Sequence, residues 1–489
     1  MRRPDVLSMP RPTLRLFLGI WLLYLLFLNP VPQSMALNIL DLATSLVDHH
    51  SITLDGWHGM DTAVRDGRTL SGMPPGASVP AALLYALLSP LIHLFPKDQE
   101  LTFLNIAAIA FLSAPAAAAT AVVFFRALDF SPASPAARLF LTLLLAFGTM
   151  QFGYATGYFK NTFAVLFLFA GFTLLRDGHR THHLSPLRAA AAGCLMGAAI
   201  SFDYPSLLGA LLVGIYLGAI SRSPRHLLVF SLASLLTLLP LFSYHAAAFG
   251  SPFSTSYTFR IAAQDNTWGS PHLGNVLLLF FSPSFGLLPY SPILCLSLFN
   301  LGKALSARRD LPENLTIAAL TVLVPAAFSG WPVIAPHDAS LTSRHLLVLV
   351  PFLLLPLAYD LPSLPRRVLY PAAVLSLLFS VLGAQAGLIP SGTVPLVYSL
   401  KVAVTSLAAG PLFSDYLPRV IGMEVFHTAG ARYELSPAKL LTTLSPSQLF
   451  PLLGGQLAWK LLSLSCTAVV GWTVWVMWGR PPLSAGGGT

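Results

Sequence analysis

The chain has 489 residues, of which 55% are hydrophobic and 10% charged, and its mean hydropathy is +0.70. This composition is typical of a multispanning membrane protein and excludes a large soluble domain. The net charge is +9, but the Lys and Arg residues form no run with interleaved aromatic residues, so they indicate topological anchors in loops and exclude a nucleic-acid partner.

The first predicted span, 16–29, follows an Arg-rich start, and no small-residue cleavage site comes after it. We therefore predict an uncleaved helix that enters the membrane from the inside, followed by a long outer loop, 31–100. Within this loop the segment 79–95 is apolar but contains Pro80 and Pro90. If it crossed the membrane, every later short basic loop, such as 176–188, would lie outside. The positive-inside rule therefore predicts that this segment is an interfacial helix.

Apolar runs of roughly 17 to 25 residues are long enough to span a bilayer, and the positions of Lys and Arg residues indicate their orientation. The fold class predicted is all-α and integral to the membrane, with about 12 transmembrane helices. After the first span these are 101–125, 139–156, 163–175, 189–202, 207–220, 227–244, 276–299, 315–328, 345–358, 368–388 and 461–478. The long outer segments are then 31–100, 245–275, 331–344 and 389–460. We divide the chain into a catalytic membrane region, 1–460, and a last helix with a short inner tail, 461–489.

Several motifs are missing from the sequence. It contains no Gly-x4-Gly-Lys-Ser/Thr phosphate loop, no His-Glu-x-x-His and no Gly-x-Ser-x-Gly. It also contains no Asp-x-Asp, the pattern of a metal-bound nucleotide-sugar site. These absences argue against ATP-driven transport, metalloprotease or serine hydrolase chemistry, and a nucleotide-sugar donor.

Acidic residues are concentrated in the first outer loop. Asp41, Asp55 and Asp61 are the candidate catalytic residues, because a carboxylate at the membrane rim can act as general base on an acceptor hydroxyl. The alternative is that they are solvated loop charges or helix caps. Neighbouring histidines leave a divalent metal ion as an open alternative, although their spacing fits no defined ligand pattern. No other cofactor is indicated. The histidines are His49, His50 and His58.

Four further polar residues are predicted to line a cavity on the outer side: Asp203, Tyr257, Arg260 and Tyr290. Asp203 lies between two apolar spans, where a carboxylate must be paired or solvated; a helix cap is the alternative. Tyr290 lies in a span that Gly286, Pro289 and Pro292 interrupt. A helix broken at membrane depth needs a protein-lined cavity that satisfies its free backbone groups. The alternative is a kink that only helps the helices to pack.

Arg344 and His345 stand where a later span begins on the outer side. An arginine at this depth suits a phosphate or pyrophosphate group, which its guanidinium can bind with two parallel hydrogen bonds. The alternative is an interfacial anchor whose charged end reaches the headgroups. We predict that both residues bind the phosphate of a donor.

Taken together, these motifs resemble the GT-C class of membrane glycosyltransferases, the relatives of protein O-mannosyltransferases and the lipid A aminoarabinose transferase. The resemblance rests on landmarks that cover about 16–357 in the same order: Asp41-Leu-Ala, Asp55 to Arg68, Ser71-Gly-x-Pro-Pro-Gly76, Phe202-Asp-Tyr-Pro205, Phe249-Gly-Ser-Pro with Tyr257, Gly286-Leu-Leu-Pro-Tyr-Ser-Pro292, and Ser343-Arg-His-Leu followed by Pro351-Phe352. The sequence departs from the family pattern at Trp331-Pro-Val-Ile and at Ser343-Arg344, where relatives often have Gly-Gly and Gly-x-Arg.

The resemblance implies a catalytic aspartate in the first outer loop and a polyprenyl-phosphate-linked sugar as donor. It also implies a multi-pass protein of the bacterial inner membrane and a lipid, glycan or protein acceptor on the outer, periplasmic face. A multispanning transporter or lipid flippase is the alternative. A transporter should show repeats and charges at corresponding midplane positions, and the sequence shows neither.

Overall fold

The computed structural model describes residues 11–30, 32–54, 56, 61–260, 269–282, 285–330, 339–340 and 342–386. The candidate base Asp55, the histidine His58, the outer segment 389–460 and the predicted last span lie outside the described residues, and so does the boundary proposed at 460.

The described part of the chain is mostly helical, as predicted. Two short antiparallel hairpins are added, β1 (Thr62–Arg65) with β2 (Arg68–Ser71), and β3 (Ala339–Ser340) with β4 (Thr342–Ser343). The helices are α1 (Arg11–Leu26), α2 (Ser34–Asp48), α3 (Ser78–Ile92), α4 (Lys97–Ala108), α5 (Ala114–Ala127), α6 (Pro135–Phe147), α7 (Gln151–Ala155), α8 (Lys160–Arg180), α9 (Pro186–Phe202), α10 (Ser206–Ile220), α11 (Pro224–Phe249), α12 (Leu273–Phe281), α13 (Leu287–Tyr290), α14 (Ile293–Ser306), α15 (Leu311–Ser329), α16 (Leu349–Leu354), α17 (Leu357–Asp360) and α18 (Arg366–Ala386).

Five helical segments among the described residues are long and apolar enough to cross a membrane, and several helices of 10–17 residues are also apolar. The protein is therefore a multi-pass membrane protein, while the number of twelve spans stays a prediction. The five are Pro75–Ile92, Gln99–Phe130, Pro224–Phe249, Leu311–Ser329 and Arg366–Ala384. The first of them contains most of the segment 79–95, whose interfacial position also stays a prediction.

Three predicted spans are interrupted in the structure. The segment 139–156 contains most of α6 and all of α7, with a break at 148–150. The segment 276–299 contains the end of α12, all of α13 and the first half of α14, because Gly286 and Pro292 lie at the breaks. The segment 345–358 begins with a 3-10 turn, Arg344–Leu346, and continues as the short helices α16 and α17. These interruptions bring non-helical backbone into the interior, where it must be enclosed by protein.

Helix α2 is the main element that the sequence-based topology lacked, since this segment was predicted as loop. Met35, Ile39 and Leu42 recur at helical spacing, and all three are buried. The first outer loop thus begins with a helix whose apolar side joins the core, and Asp41 lies on that helix rather than in a solvated loop.

Close helix packing holds the frame on which the outer segments rest. Gly193 lies in α9 where a Cβ would come 2.1 Å from the carbonyl oxygen of Phe230, so α9 and α11 touch backbone to backbone. Aromatic rings fill the space between α8 and α16, where the ring centroids of Phe169 and Phe172 lie 5.1 and 5.0 Å from that of Phe352. These contacts fix α8, whose first residues contribute to the candidate site.

Candidate functional site

A stripe of polar side chains runs along α2 at the spacing of one helix face, comprising Ser34, Asn38, Asp41, Ser45 and Asp48. Most of its members hold a neighbouring segment. The hydroxyl of Ser34 donates to Oδ2 of Asp61 at 2.7 Å, and the hydroxyl of Ser71 donates to Oδ1 of Asn38 at 2.5 Å. The stripe therefore fastens both ends of the β1–β2 hairpin region to α2.

Asp41 lies in the middle of this stripe and is 4% exposed. Its Oδ2 accepts a hydrogen bond from the backbone N–H of Gly56 at 3.2 Å. A Cβ on Gly56 would lie 3.7 Å from Oδ1 of Asp41. Asp48, at the end of the stripe, accepts a 2.7 Å hydrogen bond from the hydroxyl of Tyr85. Asp41 is thus a buried carboxylate on a helix, in contact with the backbone of Gly56.

Asp61 is paired with a cation from another part of the chain. Nη2 of Arg260 lies 3.7 Å from Oδ1 of Asp61, and Nε of Arg260 donates to the carbonyl oxygen of Gly72 at 3.1 Å. The guanidinium also stands 4.6 Å above the ring of Tyr257. Since Ser256 donates to the same carbonyl at 2.9 Å, the turn after α11 clamps the Ser71–Gly76 motif.

An aromatic group supports this clamp. The ring centroid of Tyr257 lies 5.1 Å from that of Tyr204, whose hydroxyl is 2.8 Å from Nε2 of His245. Tyr204 lies in the turn between α9 and α10, and burial raises the pKa of its hydroxyl, so the group stays neutral. The turn containing Asp203 is thereby joined to the turn containing Arg260.

Asp203 forms a buried ion pair that the sequence analysis did not identify. Its Oδ1 contacts Nζ of Lys160, and its Oδ2 accepts a 3.0 Å hydrogen bond from Nδ2 of Asn161. Lys160 is 1% exposed. A lysine that directly precedes a long apolar stretch of a membrane helix is costly to bury, and this feature of the sequence could have indicated the pair.

The ion pair lies beside a recess between α8, α10 and α15. Its empty space is about 350 Å³, open solvent at its mouth included. The recess is lined by a group of polar residues and by walls of apolar residues. The polar group is Asn161, Asp203, Ser206, Arg344 and His345; the walls include Ala164, Val165, Leu168, Val324, Phe328 and Val348.

Arg344 and His345 reach the recess from the 3-10 turn that follows β4. The imidazole of His345 stacks on Phe328 of α15, with ring centroids 4.1 Å apart and an interplanar angle of 20°. The N–H of Ser343 donates to the carbonyl oxygen of Phe285 at 3.3 Å, which ties this turn to the break after α12. The broken helices therefore position the two residues predicted to bind phosphate.

The turn at Pro75–Ala77 lies between the polar stripe of α2 and the recess that contains Asp203. The hydroxyl of Tyr158 donates to the carbonyl oxygen of Ala77 at 2.6 Å. A Cβ on Gly76 would lie 2.3 Å from the carbonyl oxygen of Ser201, so only glycine permits this approach. The turn is thus wedged next to Asp203, and the Ser71–Gly76 motif links the two polar groups through packed backbone.

The structure sorts the described site residues into four places. Asp41 lies on α2 beside Gly56. Asp203, Arg344 and His345 line one recess, whereas Arg260 and Tyr257 lie beside Asp61. Tyr290, predicted to line the cavity, is 1% exposed on α13 in the hydrophobic core. Among the described residues, no three His, Cys, Asp or Glu side chains come together as a metal-binding group.

Comparison with known proteins bears on the fold. No family model matches the sequence, and no curated protein matches it. Among solved structures, ArnT from Cupriavidus metallidurans bound to undecaprenyl phosphate is similar with a TM-score of 0.53, over 90% of this chain and 74% of that chain. The fold is of the GT-C type. At 15% identity, the likeness shows the fold alone.

Two other structures are similar at lower TM-scores. ArnT in the apo state has a TM-score of 0.49 and 17% identity over 74% of this chain. Archaeal oligosaccharyltransferase AglB from Archaeoglobus fulgidus, in complex with an inhibitory peptide and a dolichol-phosphate, has a TM-score of 0.45 and 9% identity over 78% of this chain. The chain covers only 61% and 57% of their lengths. These values are too low to support an argument. The evidence that supports the predicted GT-C-type fold is therefore the similarity to ArnT bound to undecaprenyl phosphate.

Proposed function

We propose that the protein transfers a sugar from a polyprenyl-phosphate-linked donor to an acceptor on the outer, periplasmic face of the bacterial inner membrane. The observation that carries this proposal is the recess, which combines a cationic polar part with apolar walls between membrane helices. An anionic lipid needs both features. The likeness in fold to a structure that holds undecaprenyl phosphate supports this choice of ligand.

Arg344 is proposed to bind the phosphate of the donor, with His345 beside it. A guanidinium can donate two parallel hydrogen bonds to phosphate oxygens, and its charge does not depend on pH. When the bond between the sugar C1 and the phosphate oxygen breaks, negative charge accumulates on the leaving phosphate. A fixed positive charge at that place lowers the barrier, because it interacts more strongly with the transition state than with the bound donor.

Asp41 is proposed as the general base that accepts the proton of the acceptor hydroxyl as its oxygen attacks C1. Its carboxylate is buried and held by the Gly56 N–H, so little reorganisation is needed during the reaction. Asp61 is the second candidate, and it contacts Arg260 at 3.7 Å. Asp55 is the third candidate.

The proposal is tested with purified protein, a polyprenyl-phosphate sugar and Asp41→Asn. This substitution keeps the size of the side chain but removes the basic oxygen, so we expect transfer to fall by about two to four orders of magnitude while donor binding is retained. Asp48→Asn is the matched control, because Asp48 lies on the same stripe of α2 and bonds to Tyr85. It should leave transfer within a few-fold of wild type.

The opposite results are also informative. Full turnover in Asp41→Asn would pass the role to Asp61, and full turnover in the Asp41, Asp55 and Asp61 variants alike would remove this loop from the chemistry. Turnover with a nucleotide sugar in the absence of lipid would refute the proposed donor class.

A further inference from the structure

In the side-chain amide of Asn161, the NH₂ group forms a hydrogen bond and the carbonyl oxygen does not. Its Nδ2 donates to Oδ2 of Asp203 at 3.0 Å. An ionised carboxylate only accepts hydrogen bonds, so the NH₂ group must face Asp203 and the orientation of the amide is determined. Among the described residues, no donor reaches the carbonyl oxygen Oδ1 of Asn161, although that oxygen is buried. A buried acceptor in this condition is unfavourable unless a ligand or water supplies a hydrogen.

The position of Asn161 separates it from other buried amides. Asn105 and Asn300 also have a carbonyl oxygen without a hydrogen bond in the described part of the chain. Neither of them lines the recess, whereas Asn161 lines it together with Asp203 and Arg344. The residue that carries this open acceptor thus lines a recess that already contains charged groups.

The charges of the recess restrict what can bind beside Asn161. Lys160 neutralises Asp203 through a direct ion pair, and Arg344 adds a positive charge to the same recess. The group bound there must therefore donate a hydrogen bond without carrying a positive charge. A hydroxyl meets both conditions, whereas an ammonium would be repelled by Arg344 and would compete with Lys160 for Asp203.

We infer that Asn161 and Asp203 form a subsite for a hydroxyl group of a neutral sugar, adjacent to the phosphate bound by Arg344. This inference rests on the proposed function and adds the class of sugar, a polyhydroxylated ring without an amino group. Oδ1 of Asn161 and the remaining lone pairs of Asp203 accept the hydroxyl hydrogens, and no covalent step is involved. Asn161 is then a specificity-determining residue rather than a catalytic one.

Binding of three lipids to wild-type protein tests the inference without any substitution. The probes are polyprenyl phosphate, polyprenyl-phosphate hexose, and the same hexose with one hydroxyl replaced by an amino group. We expect the neutral hexose lipid to bind about tenfold more tightly than polyprenyl phosphate, and the amino lipid to bind no more tightly than polyprenyl phosphate. Tighter binding of the amino lipid would overturn the inference and leave the proposed function standing. Failure of polyprenyl phosphate itself to bind would overturn both.

A variant assigns the effect to the residue. In Asn161→Leu, the about tenfold advantage of the hexose should disappear while the affinity for polyprenyl phosphate stays near wild type. Asn300→Leu is the matched control, since it removes a similar buried amide away from the recess, and it should keep the advantage. If Asn161→Leu does not fold, Asn161→Ser serves in its place. An advantage that persists in the folded Asn161 variant would show that a water, not a sugar, bonds to Oδ1.

Discussion

Helix α8 carries buried charge at both of its ends, and the two ends differ in what surrounds it. Lys160 lies in the first turn and Arg176 lies sixteen residues later, about 24 Å along the helix. Nε of Arg176 is 2.8 Å from Glu313, and its Nη1 donates to the carbonyl oxygen of Ala127 at 2.7 Å. Arg180 adds contacts to Glu313 at 2.7 Å and to Asp310 at 2.8 Å.

The end with Arg176 is held by ion pairs within the protein, whereas the end with Lys160 borders a recess. At the Arg176 end, the described carboxylate partners Glu313 and Asp310 hold α8 against the start of α15, and the carbonyl oxygen of Ala127 adds a contact to α5. At the Lys160 end, the partner Asp203 keeps a face toward empty space shared with Arg344. A buried charge is therefore a candidate for function only where the surrounding structure leaves room for a ligand.

The largest expected effect concerns the locked end. Glu313→Leu removes the carboxylate shared by Arg176 and Arg180 and leaves the buried Arg176 guanidinium with only the more distant Asp177, at 3.7 Å, so we expect a loss of about 3–5 kcal/mol in the free energy of unfolding. Thermal unfolding in detergent measures it. Asp310→Asn, at a side chain that is 34% exposed, should lower the melting temperature much less. Equal melting temperatures for Glu313→Leu and wild type would contradict the structural role.

A smaller effect is expected at the recess, on binding rather than folding. Arg344→Ala removes a charge-assisted hydrogen bond to the donor phosphate, so affinity for polyprenyl phosphate should weaken by about 1.5–3 kcal/mol while the melting temperature changes little. Arg309→Ala is the control, because Arg309 contacts Asp360 and is 39% exposed. Unchanged lipid affinity in Arg344→Ala would favour an interfacial anchor.

The smallest effect tests the junction between the α2 side and the recess. Gly76→Ala places a Cβ 2.3 Å from the carbonyl oxygen of Ser201, and the turn must shift, at a cost of about 1–3 kcal/mol. We expect a lower melting temperature together with slower sugar transfer. Gly218→Ala has no atom within 4 Å of the new Cβ and should be neutral. Parallel results for the two variants would show that the turn is loosely packed.

Local sequence was sufficient to determine the class of the protein and most of its helices. The content of apolar residues and the length of their runs dictate membrane helices, because hydrocarbon tolerates no unbonded backbone. The order of the motifs was sufficient to predict the GT-C-type fold. Arg344 at the start of a span and Asp203 between two spans could be selected as site candidates, because a charged group beside hydrocarbon must be paired or solvated.

Only the tertiary structure decided which of these residues act together. Asp203 and Arg344 are 141 positions apart in the sequence, and no periodicity links them, yet both line one recess. Asp41 was predicted in a loop because its segment was assigned from its acidic residues, although the apolar residues of α2 recur at helical spacing; packing of that apolar side stabilises the helix. In the sequence Lys160 has no identifiable partner, and only the structure shows its ion pair with Asp203. Pairing of charges depends on distance in space, and a linear pattern carries that distance only within a single element.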